Sequence, residues 1–228
     1  MTIIEVMKYP IAVYVFLGLF LVASILQFIF AFTENQKFRR LEKFSCMLTL
    51  AIAIIFAVPD QPLIYIGAFL AMLGDIFVLR KKTFNLGVIC FFLSHLMYIF
   101  ECQFMIIGES NIRWFQHVIF ILTYIVVALA MFAIIKKNKH RTTINKIAQS
   151  LYFAILSVYI PVFAVAIDQV GSFMFLSLIG CGIFIISDSI LVYTHFVRKF
   201  KRYDFYIMLT YLIAEFLIVS GFVLTLIR

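Results

Sequence analysis

The chain alternates long apolar runs with short polar breaks. The runs cover residues 10–32, 43–58, 62–79, 84–101, 113–135, 147–167, 171–195 and 204–227. The breaks between them are either basic stretches or tight turns, such as Pro59–Pro62 and Asp168–Gly171. Most runs have about 17–25 residues, the length at which an α-helix crosses a bilayer. Only helices or closed barrels satisfy every backbone group in lipid. None of these runs shows the apolar–polar alternation of a barrel strand. The pattern therefore predicts an all-α fold: a polytopic bundle of eight transmembrane helices forming one domain, residues 1–228. The second helix is the shortest, about 22 Å at ~1.5 Å per residue. The first run is too long for the core of a signal peptide and has no small-residue cleavage site after it, so it reads as a retained helix.

Composition excludes an ordinary soluble domain. Of 228 residues, 65% are hydrophobic and 13% charged, against about 45–50% and about 25% for soluble proteins. The net charge of +8 reports topology once the basic residues are placed. Lys37, Arg39, Arg40 and Lys43 precede the second helix, and Arg80, Lys81 and Lys82 follow the third. Lys136, Lys137, Lys139, Arg141 and Lys146 follow the fifth, and Arg198, Lys199, Lys201 and Arg202 follow the seventh. Together they are 16 of the 19 Lys and Arg, and Lys8, Arg113 and Arg228 lie on the other side. Short cytoplasmic loops carry such an excess, so both termini are expected on the non-cytoplasmic side. The same placement, in four short loops beside a membrane, argues against a nucleic-acid partner. The four cysteines, Cys46, Cys90, Cys102 and Cys181, are scattered without CxxC spacing, which fits neither a disulfide framework nor a zinc site.

Ionisable residues inside a membrane helix are expensive, about 2.5–3.5 kcal/mol each on insertion scales. Three carboxylates occur there, Asp75, Asp188 and Glu215, and His95 is the one deep histidine. Asp75 lies about 7 Å from the inner end of its helix, and the others about 15 Å in, at ~1.5 Å per residue. These depths place them in one pocket between the midplane and the cytoplasmic side. In the third helix Gly67, Ala71 and Gly74 form a small-residue face that lets another helix approach, and Asp75 adjoins it. Gly87, Phe91, His95 and Tyr98 share a face of the fourth helix. Tyr211 lies one turn from Glu215, and Tyr124 and Tyr159 offer further hydroxyls. A buried carboxylate can also serve purely as a clamp between helices, and His95 as a satisfied bundle histidine. No GxSxG, HExxH or phosphate-loop motif is present. A metal site would need three or more converging ligands, and with one deep histidine no metal or other cofactor is expected.

Four segments together resemble the YhhN-like lysoplasmalogenase family: MLGDIFVL (Met72–Leu79), FNLGVICFFLSHLMYIF (Phe84–Phe100), ISDSILVYTHF (Ile186–Phe196) and TYLIAEFLIVSGF (Thr210–Phe222). They stand in the family's order and span most of the chain. The resemblance implies an integral multi-pass membrane enzyme that cleaves the vinyl ether bond of lysoplasmalogens. The products would be a fatty aldehyde and glycerophosphocholine or glycerophosphoethanolamine. Carried over motif by motif, its functional residues are Asp75, His95, Tyr98, Asp188 and Tyr211. One position departs: the family has Gln where this chain has Glu215.

The implied chemistry suits the residues. Protonation of the alkene carbon gives an oxocarbenium ion, to which water adds. That needs one protonated carboxyl and one carboxylate, roles that glycosidases also divide between two carboxyls. Apolar surroundings favour the neutral form of a carboxyl. Asp75 and Asp188 are the expected catalytic pair, with His95, Tyr98, Tyr124, Tyr159, Tyr211 and Glu215 expected to bind the lysophospholipid. The rival class is a proton-coupled transporter, supported by the short likeness of GDIFVL to SDSILV.

Overall fold

The computed structural model describes residues 10–33, 36–80, 82–108, 158–196 and 198–228. Among them are seven α-helices and no strand. They are α1 (Pro10–Phe32), α2 (Gln36–Ala57), α3 (Pro62–Val78), α4 (Phe84–Gly108), α5 (Val158–Gln169), α6 (Met174–Phe196) and α7 (Tyr203–Leu226). Four of these, α1, α4, α6 and α7, are long and apolar enough to cross a membrane. The predicted helix over 113–135, and Tyr124 with it, lies outside the described residues.

Two helices are longer than the apolar pattern predicts. α2 begins at Gln36 rather than at residue 43. The polar prefix QKFRRLEK contains no Gly or Pro, and Lys, Arg, Glu, Gln and Leu are all good helix formers. Polarity ended the apolar run there without ending the helix. As a result Lys43 stands two turns inside α2, where it is buried. α4 likewise continues past residue 101 to Gly108.

The turns are fixed locally. α3 starts with Pro62 in its first turn, where a missing N–H costs nothing. The Thr83 hydroxyl donates to the Phe77 carbonyl at 2.7 Å and closes the C-terminal end of α3. Arg202, just before α7, adopts a left-handed backbone at φ 59°. Its guanidinium lies 3.8 Å over the Phe32 ring, joining this turn to the end of α1.

The helices pack as antiparallel hairpins, α1 with α2, α3 with α4 and α6 with α7. α7 also touches α1, α2 and α3. α5 joins through Phe163, against Phe222 of α7 at 5.5 Å, and through Tyr159, edge-on to His95 of α4 at 5.0 Å. Glycines set the closeness of two hairpins. A Cβ on Gly87 of α4 would sit 2.8 Å from the Val78 amide nitrogen and 2.9 Å from the Gly74 carbonyl oxygen. A Cβ on Gly180 of α6 would sit 2.7 Å from the Ala214 carbonyl oxygen and 2.9 Å from the Ile218 amide nitrogen of α7. The Ser177 hydroxyl, one turn away, donates to the Ile218 carbonyl at 2.7 Å and reinforces the same contact. The expected small-residue face of α3 is occupied by rings of α4: Gly67 faces Tyr98 and Gly74 faces Phe91.

Two glycines of α6 separate packing from propensity. Gly180 abuts backbone, whereas nothing lies within 4 Å of a Cβ on Gly182. Gly180→Ala should lower stability by about 1–3 kcal/mol through overpacking. Gly182→Ala should be neutral or stabilising by up to about 1 kcal/mol. Thermal unfolding of both variants in detergent checks the contrast, and equal unfolding temperatures would contradict the close α6–α7 contact.

Candidate functional site

The site is assembled from the three hairpins. α3 carries Asp75, which is 3% exposed. α2 brings Lys43 to it, with Nζ 3.5 Å from Oδ1. α6 carries Asp188 beside Ser187, whose hydroxyl donates to the Ile207 carbonyl of α7 at 3.1 Å and fixes this stretch of α6 against its neighbour. α7 contributes Tyr211 and α4 contributes Phe91. Lys43, Asp75, Phe91, Ser187, Asp188 and Tyr211 all line one cavity of about 20 Å³. That is room for a single water, which needs about 10–15 Å³.

Electrostatics explains why the cation and the carboxylate come together. A charge moved alone into an apolar interior is very costly, and a partner with good geometry offsets much of that. Lys43 is the countercharge that Asp75 requires. Asp75 Oδ2 and the Tyr211 hydroxyl are both buried and interact with one another electrostatically, though neither reaches hydrogen-bond geometry. The cavity is thus bordered by a carboxylate oxygen with accepting capacity and by a phenol able to donate.

A second polar layer lies deeper. The Tyr98 hydroxyl donates to Glu215 Oε2 at 3.0 Å, with both residues fully buried. Glu215 is close enough to Asp75 and Asp188 to interact with both electrostatically. Its Oε1 makes no hydrogen bond. Alongside, His95 Nδ1 and the Tyr159 hydroxyl are 2.6 Å apart. Rings close the space between the layers: Phe184 stands edge-on to His95 at 4.4 Å and to Tyr211 at 5.7 Å, and Phe91 to Tyr211 at 6.0 Å. Edge-to-face rings of this kind leave an apolar, well-packed wall around the carboxyls.

The residues singled out from sequence are therefore gathered, but sorted. Asp75, Asp188 and Tyr211 share the cavity. Tyr98 and Glu215 form a buried pair beside it, and His95 and Tyr159 another. Tyr211, one turn from Glu215 on the same helix, is not its hydrogen-bond partner; Tyr98 from the facing helix is. Two residues were missed. Lys43 was counted with a basic loop because it opens an apolar run, whereas the helix around it starts seven residues earlier. Glu101, the last residue of the apolar run over 84–101, lies within α4 and is buried, 3% exposed. Among the described residues no three His, Cys, Asp or Glu converge as metal ligands do.

The family model described as the YhhN family matches residues 38–222, a span that contains every residue of this site. No curated protein matches the chain, and no solved structure does.

The Tyr98–Glu215 pair yields a stability test. Glu215→Gln keeps an oxygen that accepts from Tyr98 and should unfold within a few degrees of the parent. Glu215→Leu orphans a buried hydroxyl and should lose about 1–3 kcal/mol. Thermal unfolding of the two purified variants decides it; equal stability of Gln and Leu variants would show that this hydrogen bond contributes nothing.

Proposed function

The chain belongs to the YhhN family, and from that premise we propose that it hydrolyses the vinyl ether bond of lysoplasmalogens. The observation that carries this reading is one cavity, between apolar helices, lined by both Asp75 and Asp188. Glu215, beside the cavity, lies within electrostatic reach of both aspartates, an expensive arrangement for helices to keep.

In the proposed reaction a carboxylic acid gives its proton to the alkene carbon remote from the ether oxygen. The C=C π pair forms the new C–H bond, and positive charge is shared between the adjacent carbon and the ether oxygen. A carboxylate beside that carbon stabilises the cation. Water then adds to it and returns a proton to the donor, giving a hemiacetal. Collapse of the hemiacetal breaks the C–O bond to glycerol and releases the fatty aldehyde and the glycerophospho-alcohol. No electrons are exchanged with any other reagent. The cavity as it stands has room for the attacking water alone, so in this proposal the alkenyl group enters as the helices part. Tyr211, whose hydroxyl lies by Asp75 without a hydrogen bond, can orient either the water or the ether oxygen.

The topology completes the proposal. Eight helices with both termini outside would set the cavity toward the cytoplasmic side, as the distribution of basic residues suggests. Gln61→Cys, in the α2–α3 turn, should react with an impermeant thiol reagent from outside intact cells. Lys82→Cys, exposed between α3 and α4, should be protected until the membrane is opened. Labelling of Lys82→Cys from outside would reverse the topology.

The decisive assay is fatty aldehyde release by purified protein in detergent given a lysoplasmalogen. A transporter would release none, having no second compartment to serve. Asp75→Asn and Asp188→Asn should each lose about a hundredfold or more in kcat, the scale of a lost general acid or base. The double variant should be little worse than the poorer single one, because groups acting as a unit are not additive. EDTA should leave the rate unchanged. Absence of aldehyde from monodisperse parent protein sinks the reading, and near-normal turnover by either Asn variant assigns that aspartate to the scaffold.

A further inference from the structure

Two aspartates lining one small cavity are chemically alike, and the reaction needs them to differ. The structure offers a feature that fixes one of them, Asp75. Lys43 crosses from α2 and places its ammonium 3.5 Å from Asp75 Oδ1, with both side chains almost wholly buried. It reaches the cavity that Asp188, Ser187, Tyr211 and Phe91 also line. The position is built rather than incidental. The polar prefix of α2 is helical, so Lys43 is carried on a rigid element, and α2 packs directly on α3.

We propose that Lys43 is a positioning residue for the reaction: paired with Asp75, it holds that carboxyl as the charge-bearing group that faces the developing cation. This rests on the vinyl ether hydrolase reading above. Asp75 Oδ1 is turned to Lys43, and its second oxygen, Oδ2, is buried without a hydrogen bond. The carboxylate thus has one oxygen anchored and one available to the substrate. A group fixed in this way needs little reorganisation when charge develops beside it. Lys43 itself never exchanges a proton or touches the reacting carbons.

The test combines kinetics with stability. Lys43→Met keeps most of the apolar stem and removes the charge. Its kcat for aldehyde release should fall about ten- to a hundredfold, the scale of a misplaced catalytic group, with KM within about twofold of the parent. Lys43→Arg, which keeps the cation, should recover most of the rate. The Lys43→Met/Asp75→Asn double variant should be no slower than Asp75→Asn alone. In thermal unfolding, Lys43→Met and Asp75→Asn should each be destabilised by the orphaned partner. The charge-neutral double variant should recover much of that loss. Unchanged kcat in a folded Lys43→Met overturns the proposal. So does a rise in KM alone, which would make Lys43 a ligand for the headgroup phosphate. Additive thermal effects overturn the pairing itself, whether or not the protein turns over lysoplasmalogen. A parent protein without aldehyde release overturns the reaction, and with it the catalytic role given to Lys43.

Discussion

An ammonium and a carboxylate brought together in an apolar interior restrict everything around them. Neither Lys43 nor Asp75 can be left without the other at small cost, so α2 and α3 are held at one relative height. The cavity next to the pair inherits that height. Asp188 reaches it from α6 and Tyr211 from α7, and each depends on α6 and α7 keeping their own register. Ser187 and Ser177 provide this, each donating to a carbonyl of α7, about ten residues apart along α6. The chemistry of the site is thus a by-product of where a few polar groups are forced to find partners.

The class of fold was legible because lipid leaves so few choices: continuous apolar runs of spanning length read as helices. Helix ends were less legible, for a specific reason. Apolarity reports burial, whereas helicity also extends through Lys, Arg and Glu. The start of α2 at Gln36 and the end of α4 at Gly108 both fall where the two signals part company. The apolar pattern therefore sets Lys43 among loop cations and leaves Glu101 out of the intramembrane carboxylates, whereas both are buried within helices.

Within the site, spacing along one helix tells which residues share a face, as with His95 and Tyr98 of α4. It could not reveal partners across helices. Glu215 and Tyr211 look like neighbours in sequence, but Glu215 is bonded to Tyr98, which is 117 positions away. His95 meets Tyr159 across 64 positions. Such pairs depend on how hairpins lie against one another, and one sequence carries no direct record of that. The carboxyls were found for a different reason. An ionisable group in a membrane helix is conspicuous by itself, whatever it pairs with.

The interlocked glycines have a mechanical consequence. At Gly87 and at Gly180 backbone atoms of the neighbouring helix stand within 2.9 Å of where a Cβ would be, so at these two crossings the α3–α4 and α6–α7 seams have no room to slide. Each hairpin should therefore move as a solid piece. Asp75 rides on the first piece and Asp188 on the second, and the cavity lies on the parting line between them. Any breathing that makes room for a molecule larger than water has to draw the two hairpins apart along that line. The distance between the two aspartates then becomes the coordinate along which the site opens and shuts.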